Sequence, residues 1–446
     1  MSTSNPGAAP KLSRQEQRNA YLRSLLKSAQ SQSFKALPLM QLRSQAAAIL
    51  AEHTFPSTQD EEWRFTDLKP MLSVPFEAAV GLSKVSPKLL AAVSMPEATA
   101  RLVFVNGYYN AELSTIDQLP AGVIVGNLAA LTDRELEEQL SNRLARSSSC
   151  HDIFSSLNTA GFQDAAVIWV PRGQVLEQPI QIVTLSVADD EPLMASPRCL
   201  IIAEANSALT FVEDFYGTHE RDYFTNSVTE IWVDDGAAVT HVRLQREGAG
   251  TFHIGRTAIT QGRDSRYTTV PVTLGAQISR HNLEVYQTGP QTDTNLYSLT
   301  AIAQSQLADT HSLIATNHPH GTADQLHKTI VDDTARAVFN GKVWVPKNAQ
   351  LTNASQLNRN LLLSRRARVD TKPELDIVAD NVKCAHGATV SQLDTSEVFY
   401  LQSRGISAEA AQRLLIYGFA MDIIDRIPIA SLKQSLTANV TQRSLS

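Results

Sequence analysis

Leu200-Ile-Ile-Ala-Glu-Ala-Asn-Ser-Ala-Leu-Thr-Phe-Val212 holds two short apolar runs, Leu200–Ile202 and Leu209–Val212, around a small-residue break at Asn206-Ser-Ala. Each run is short, rich in branched and aromatic residues and bounded by turn formers, so each reads as a strand. The unit recurs in both directions. Val167-Ile-Trp-Val170 and Ile180-Gln-Ile-Val183 precede it; Ile231-Trp-Val233 and Val239-Thr-His-Val-Arg-Leu244 follow it. Successive runs lie roughly ten residues apart, the spacing of a sandwich, a barrel or a solenoid. The texture covers residues 150–393, about 240 residues, which is large for one sandwich, whereas a solenoid grows by adding turns. Asp235-Gly-Ala-Ala and Leu274-Gly-Ala repeat the small corner before a strand. The pattern predicts a mainly β chain built on a β-solenoid, with no useful helix-period run inside it.

Both flanks read differently. Residues 11–149 are mostly helical in pattern: Tyr21, Leu22, Leu25 and Leu26 share a helical stripe, and Leu39, Leu42 and an alanine run repeat it. Gln59-Asp-Glu-Glu-Trp-Arg-Phe-Thr-Asp-Leu68 breaks the helical pattern, and Arg101-Leu-Val-Phe-Val-Asn-Gly107 predicts a strand ending in an Asn-Gly turn. Leu131–Ser147 predicts a charged helix capped by Thr132. Residues 394–446 are helical again: Ser396–Arg404 stops at Gly405, and Ser407 caps a helix with Ala411, Leu414, Leu415, Phe419 and Ile423 along one face. A last helix is expected over Ala430–Val440. This apolar surface is expected to pack on the solenoid end or to meet a partner. Residues 1–10 are Ser/Ala/Pro-rich and read as a disordered tail, not as a secretory signal.

A hydrophobic content of 43% and a charged content of 19% fit a soluble globular protein. The net charge of −6 argues against a general nucleic-acid or anionic-membrane binder. No apolar run reaches the roughly 20 residues that cross a bilayer. The three cysteines, Cys150, Cys199 and Cys384, are far apart and form no Cys-x-x-Cys, so a reducing, cytoplasmic setting is expected.

The chemistry concentrates in Asp380-Asn-Val-Lys-Cys-Ala-His-Gly-Ala-Thr389. On a strand, Cys384 and His386 point to the same face, and a thiolate with an imidazole suits iron or zinc. Two donors leave such a metal short of its usual four, so the rest come from elsewhere in the chain or from a partner. The bland reading, a buried thiol and a hydrogen-bonded core imidazole, stands beside it. His311, His318, His320 and His327 form a second candidate metal cluster, with His318-Pro-His320 read first as a loop. Cys150-His151-Asp152 is rejected as a catalytic triad, because such triads are assembled by the fold from separate places. Cys199, beside Leu200-Ile-Ile202, reads as core. Asp332-Asp333 and Arg365-Arg366 read as solvated turns. No Gly-x-x-x-x-Gly-Lys-[Ser/Thr] is present, so no nucleotide is expected to bind this chain.

A longer series of residues carries a family resemblance. Phe339-Asn-Gly-Lys-Val-Trp-Val345, Ala349-Gln-Leu-Thr-Asn-Ala354 and Asn360-Leu-Leu-Leu-Ser364 are followed by Pro373-Glu-Leu-Asp-Ile377, the Val382–Thr389 core and Phe399-Tyr-Leu-Gln-Ser-Arg-Gly-Ile406. This series resembles the C-terminal half of the SufB/SufD family of iron–sulfur cluster assembly scaffolds. Glu61-Glu-Trp-Arg-Phe-Thr66 is similar to the N-terminal signature of the SufD branch, as Leu157-Asn-Thr-Ala160 and Val170-Pro-Arg-Gly173 are to the start of the central domain. The resemblance implies a right-handed parallel β-helix flanked by helical N- and C-terminal regions. It implies pairing with a SufB-like paralogue through the β-helix, and docking of a SufC-like ABC-type ATPase on the C-terminal helices. It also implies a transient iron or nascent cluster at the SufB interface, with His386 and Cys384 as its candidate ligands here. The few cysteines favour the SufD branch. Gly341, which recurs in the family, is expected at a solenoid corner. A homodimer of the isolated chain is a further expectation. On this reading the chain is a non-catalytic scaffold. The alternative from a different class, a β-helix carbohydrate-active enzyme, would need paired carboxylates along a groove, and the carboxylates read as scattered through turns.

Overall fold

The computed structural model describes residues 13–443 except 32–36, 117–118, 132–133, 148–149, 188–190 and 218–220. The expected disordered tail at 1–10 and Thr132 as a helix cap lie outside the described residues. The chain winds as a parallel β-solenoid of about seven turns. Each turn adds one strand to each of two sheets, and each sheet has eleven strands among the described residues. The first sheet runs from Ile124–Asn127 and Ala166–Val170 through Arg198–Ala203, Tyr223–Val233, Thr251–Gln261, Ile278–Gln287, Leu307–Thr316 and Arg336–Val345 to Arg368–Ile377. The second begins at Ala100–Val105, far upstream of residue 150, and ends at Asn353–Leu362 and Lys383–Gln392.

Register explains why these residues form these strands. Ile168, Ile201, Ile231, Ile259, Val285, Ile314, Val343 and Leu375 lie one above another across the first sheet. All but Leu375 are fully buried or nearly so. Branched side chains suit a pleated surface, and each contributes roughly 1.5–3 kcal/mol on burial. The corners stack too. Gly173, Asn206, Gly236, Asp264, Gln291, His320 and Leu351 all have positive φ. Each donates its N–H to a carbonyl of the next turn, as Asn206 does to Asp235 and His320 to Gln350. The small corners seen in the sequence belong to this column, with Ala276 (φ 72°) a left-handed corner elsewhere.

The interior is not uniformly apolar. Glu213, His241, Arg243, Glu247 and His253 are buried inside the solenoid. Glu213 pairs with His241 (2.8 Å) and accepts from Thr229 (2.6 Å), while His241 lies flat on Phe211 (4.4 Å). His253 Nδ1 is 2.5 Å from Glu247, and its Nε2 is 2.5 Å from Arg243. The expectation that carboxylates sit in turns is therefore corrected. Glu213, Asp214, Glu230 and Asp309 lie in strands and are buried, because each has a cation or hydroxyl partner.

The helices cover the outer faces. Helices Arg14–Ser31 and Leu37–Glu52 pack with a wholly buried helix, Ile153–Gly161, beside the first sheet. Sequence reading placed no helix there, because a helix buried on all sides shows no polar stripe. It also shields the Arg198–Glu230 ion pair, with Arg198 donating to Asn158 and Thr159 (both 3.1 Å). The helix expected over 131–147 is shorter, Arg134–Ser141. Beyond it the N–H groups of Ala145 and Ser147 turn back to Glu230 (2.8 and 3.3 Å), which a continuing helix would forbid.

Of the C-terminal helices, Thr395–Ser403 packs on Ala408–Ile424, which with Ala430–Arg443 lies along the flank of the second sheet, not over the solenoid end. Gly405 (φ 86°) ends the first, and Ser407 caps the second. The buried stripe is Ala411, Ile416, Ala420, Ile423 and Ile424, of which the last four pack towards Val242, Val270, Leu299 and Ile330. Leu414, expected on that stripe, is 47% exposed. Gly341 is not at a corner. It sits inside strand Arg336–Val345, where a Cβ would fall 2.4 Å from Gln356 Nε2 and 2.5 Å from Phe339 Cζ.

Candidate functional site at the open end of the solenoid

The last turn ends in two strands with no further neighbour among the described residues, Arg368–Ile377 and Lys383–Gln392. Lys383 donates its N–H to Thr352 O. By alternation, the N–H and C=O of Cys384, His386, Ala388 and Val390 point to the unpaired edge. Cys384 is in register with Ala354, and His386 with Gln356. Both partners are buried, so Cys384 and His386 occupy the inward face of the terminal strand. Across from them the final strand of the first sheet places Thr371 over Phe339, Pro373 over Gly341 and Leu375 over Val343.

The two candidate ligands differ in setting. Cys384 is half-buried and packs against the main core cluster. Burial raises its thiol pKa, and a hydrogen bond from the Ala354 backbone opposes the shift. His386 is exposed at the open mouth. The layer beneath is polar: Gln356 approaches Gln325 (3.4 Å), His327 bonds Ser298 (2.7 Å), and Thr371 donates to Asn358 (2.8 Å). Among the described residues no three His, Cys, Asp or Glu side chains converge as a metal-binding group. The edge therefore offers at most two donors from this chain.

The other candidates separate. His327 is inside the solenoid, His311 is on the outer face of the first sheet, and His318 and His320 sit in a corner turn with His320 at φ 63°. The proposed histidine metal cluster is thus corrected: strand alternation and the corner send these side chains to different places. Cys150 is buried, and desolvation drives its thiol pKa far upward. Asp152 caps helix Ile153–Gly161 through the N–H groups of Phe154 and Ser155. Cys199 is core, with its pKa raised by burial and by Glu213.

Sequence reading missed two arrangements. Lys328, 2% exposed, donates to Phe419 O (3.0 Å) and pairs with Asp422, which ties helix Ala408–Ile424 to the second sheet. Glu61–Thr66 is clamped on the first sheet: Arg280 lies 3.9 Å from the Trp63 ring, Thr66 donates to Asp309 (2.6 Å), and Lys372 pairs with Glu61 (2.8 Å). The alternation Thr-His-Val-Arg-Leu at 240–244 did signal a polar face; it did not say that this face turns inward.

No helix among the described residues is long and apolar enough to cross a membrane. Two family profiles match the chain. The SufBD protein N-terminal region covers residues 16–182, and the SufBD core domain of SUF system FeS cluster assembly covers 185–419. A Synechocystis iron–sulfur cluster assembly SufBD family protein is 47% identical over 419 residues, covering 91% of each chain. The Escherichia coli iron–sulfur cluster assembly protein SufD is 30% identical over 390 residues, covering 87% of this chain and 89% of its own. The chain belongs to the SufB/SufD family of iron–sulfur cluster assembly proteins, on its SufD branch.

Proposed function

We propose that this chain is the SufD-type half of a cytoplasmic cluster-assembly scaffold. It pairs with a SufB-like paralogue through the open end of the solenoid and brings His386, with Cys384, to iron or to a nascent cluster as cargo. The observation that carries this reading is the terminal strand with one open edge and those two donors on its inward face. Pairing a second chain there satisfies the free backbone groups and covers a row of exposed apolar side chains, among them Ile377, Val378 and Val390. It also supplies the metal donors that this chain lacks.

The C-terminal helices present Phe399 (71% exposed), Tyr400 and Leu414 away from the solenoid. These form the docking surface for a SufC-like ATPase, so nucleotide dependence enters through that partner and the chain itself turns over no substrate. Blocking ATP hydrolysis in the partner should stop cluster formation. The direct test is co-expression with the organism's own SufB and SufC homologues, followed by affinity isolation and light scattering. A stable complex of all three supports the reading. A chain that purifies alone, or as a homodimer indifferent to both, overturns it. Within the complex, His386→Ala should lower bound iron and sulfide while leaving assembly intact.

A further inference from the structure

We propose that His311 is a proton-dependent clasp that holds the Glu61–Thr66 segment shut over a groove on the outer face of the first sheet. The groove has a volume of about 500 Å³. Strands of the sheet form its floor through residues such as Asn282, His311 and Asn340, and Glu62 and Trp63 form part of one wall.

The geometry at His311 is two-sided. Its Nδ1 is 3.0 Å from Glu62 Oε2, and its Nε2 is 2.9 Å from Asp309 Oδ1. A carboxylate accepts hydrogen bonds, and a neutral imidazole carries one N–H. Both contacts are made only by the imidazolium. Burial works against the charged ring, but Asp309 and then Glu62 outweigh it and raise its pKa above the ordinary value. Asp309 is buried and held low by Arg280 and His311, so it stays anionic.

The other charges around the ring have partners of their own. On the neighbouring strands, Arg280 pairs with Asp309, Arg256 with Asp152 and Glu284, and Lys342 with Asp376. On the last strand Lys372 pairs with Glu61 and Glu374. At the rim His53 bonds Ile49 O, and His151 lines the far wall. The second ring proton of His311, one N–H to Glu62 and one to Asp309, is therefore the variable element of the cluster. When pH rises through the raised pKa of His311, one contact must go. Glu62 is 61% exposed and can turn to water, whereas Asp309 cannot. The clasp is shut below the raised pKa of His311 and opens on the Glu62 side above it.

The test is hydrogen–deuterium exchange of residues 57–68 in the full chain between pH 6 and pH 9, corrected for intrinsic exchange. Wild-type protection should fall about tenfold across the range, the loss expected for one charge-assisted hydrogen bond. His311→Ala should exchange fast throughout. Glu62→Gln is the decisive variant: its amide can donate to neutral Nδ1 while Nε2–H serves Asp309, so its protection should stay high and flat. Amides of Thr251–Gln261 serve as the internal control for global unfolding. Flat wild-type protection, or a Glu62→Gln profile that follows the wild type, overturns the proposal.

Discussion

Single residues in this protein are decided by what lies one turn above and below them. Gly341 has room for no Cβ, because Phe339 and Gln356 fill the place. Gly341→Ala should cost about 1–3 kcal/mol by overpacking, read from chemical denaturation. His327 is buried between Ser298 and Gln325 with its ring against Phe339, and burial pushes its pKa down to about 3. In the unfolded chain it titrates near ~6.5. Between those values the unfolded chain holds the extra proton, so this group lowers stability as pH falls from about 6.5 towards about 3. His327→Gln should flatten the acid limb of a plot of melting temperature against pH; an unchanged limb would assign the acid sensitivity to other buried groups. That Cys384 and His386 fall on one face was legible, because strand alternation is local. The Glu213–His241 pair was not, because its partners come from separate turns.

Elements divide into those fixed locally and those fixed by neighbours. The C-terminal helices were legible from Gly405, Ser407 and helical spacing, since caps and stripes act within a few residues. Which stripe is buried was not, and Lys328 shows why: the second sheet sets the roll of helix Ala408–Ile424 through Asp422 and Phe419. Lys328→Ala should cost about 1–3 kcal/mol and speed amide exchange in that helix more than in the strands. The proposed docking surface predicts a different pattern. Phe399→Ser with Tyr400→Ser should leave the melting temperature unchanged and weaken ATPase capture; undiminished capture would remove these side chains from the interface. For the terminal strand, Ala388→Pro deletes an N–H that points to the open edge, where proline is tolerated. The variant should fold normally yet fail to pair with a SufB-like partner, as judged by light scattering.

At the scale of the whole molecule the two solenoid ends differ. At the start, Tyr108–Tyr109 and Ile124–Asn127 pair antiparallel with the first strands, whereas the final strands are left open. In a solenoid each turn is stabilised by its neighbours, so protection should fall towards the open end. Amides of Lys383–Gln392 should exchange fastest among the strands and Tyr223–Gln261 slowest, with a bound partner slowing the former. Uniform protection would show that the terminal turn is as stable as the middle. The sequence by itself determined the solenoid, the flanking helices, the family and the pairing of Cys384 with His386 on one strand face. Each of these rests on periodicity, turn chemistry or an ordered series of motifs, all of which are written along the chain. Only the tertiary structure decided that the strand alternation at His241 and Arg243 buries charge, that His311 and His327 part company, and that the terminal strand keeps one open edge. Those outcomes depend on which residues meet across roughly thirty positions of chain, once per turn, and no local pattern records that meeting.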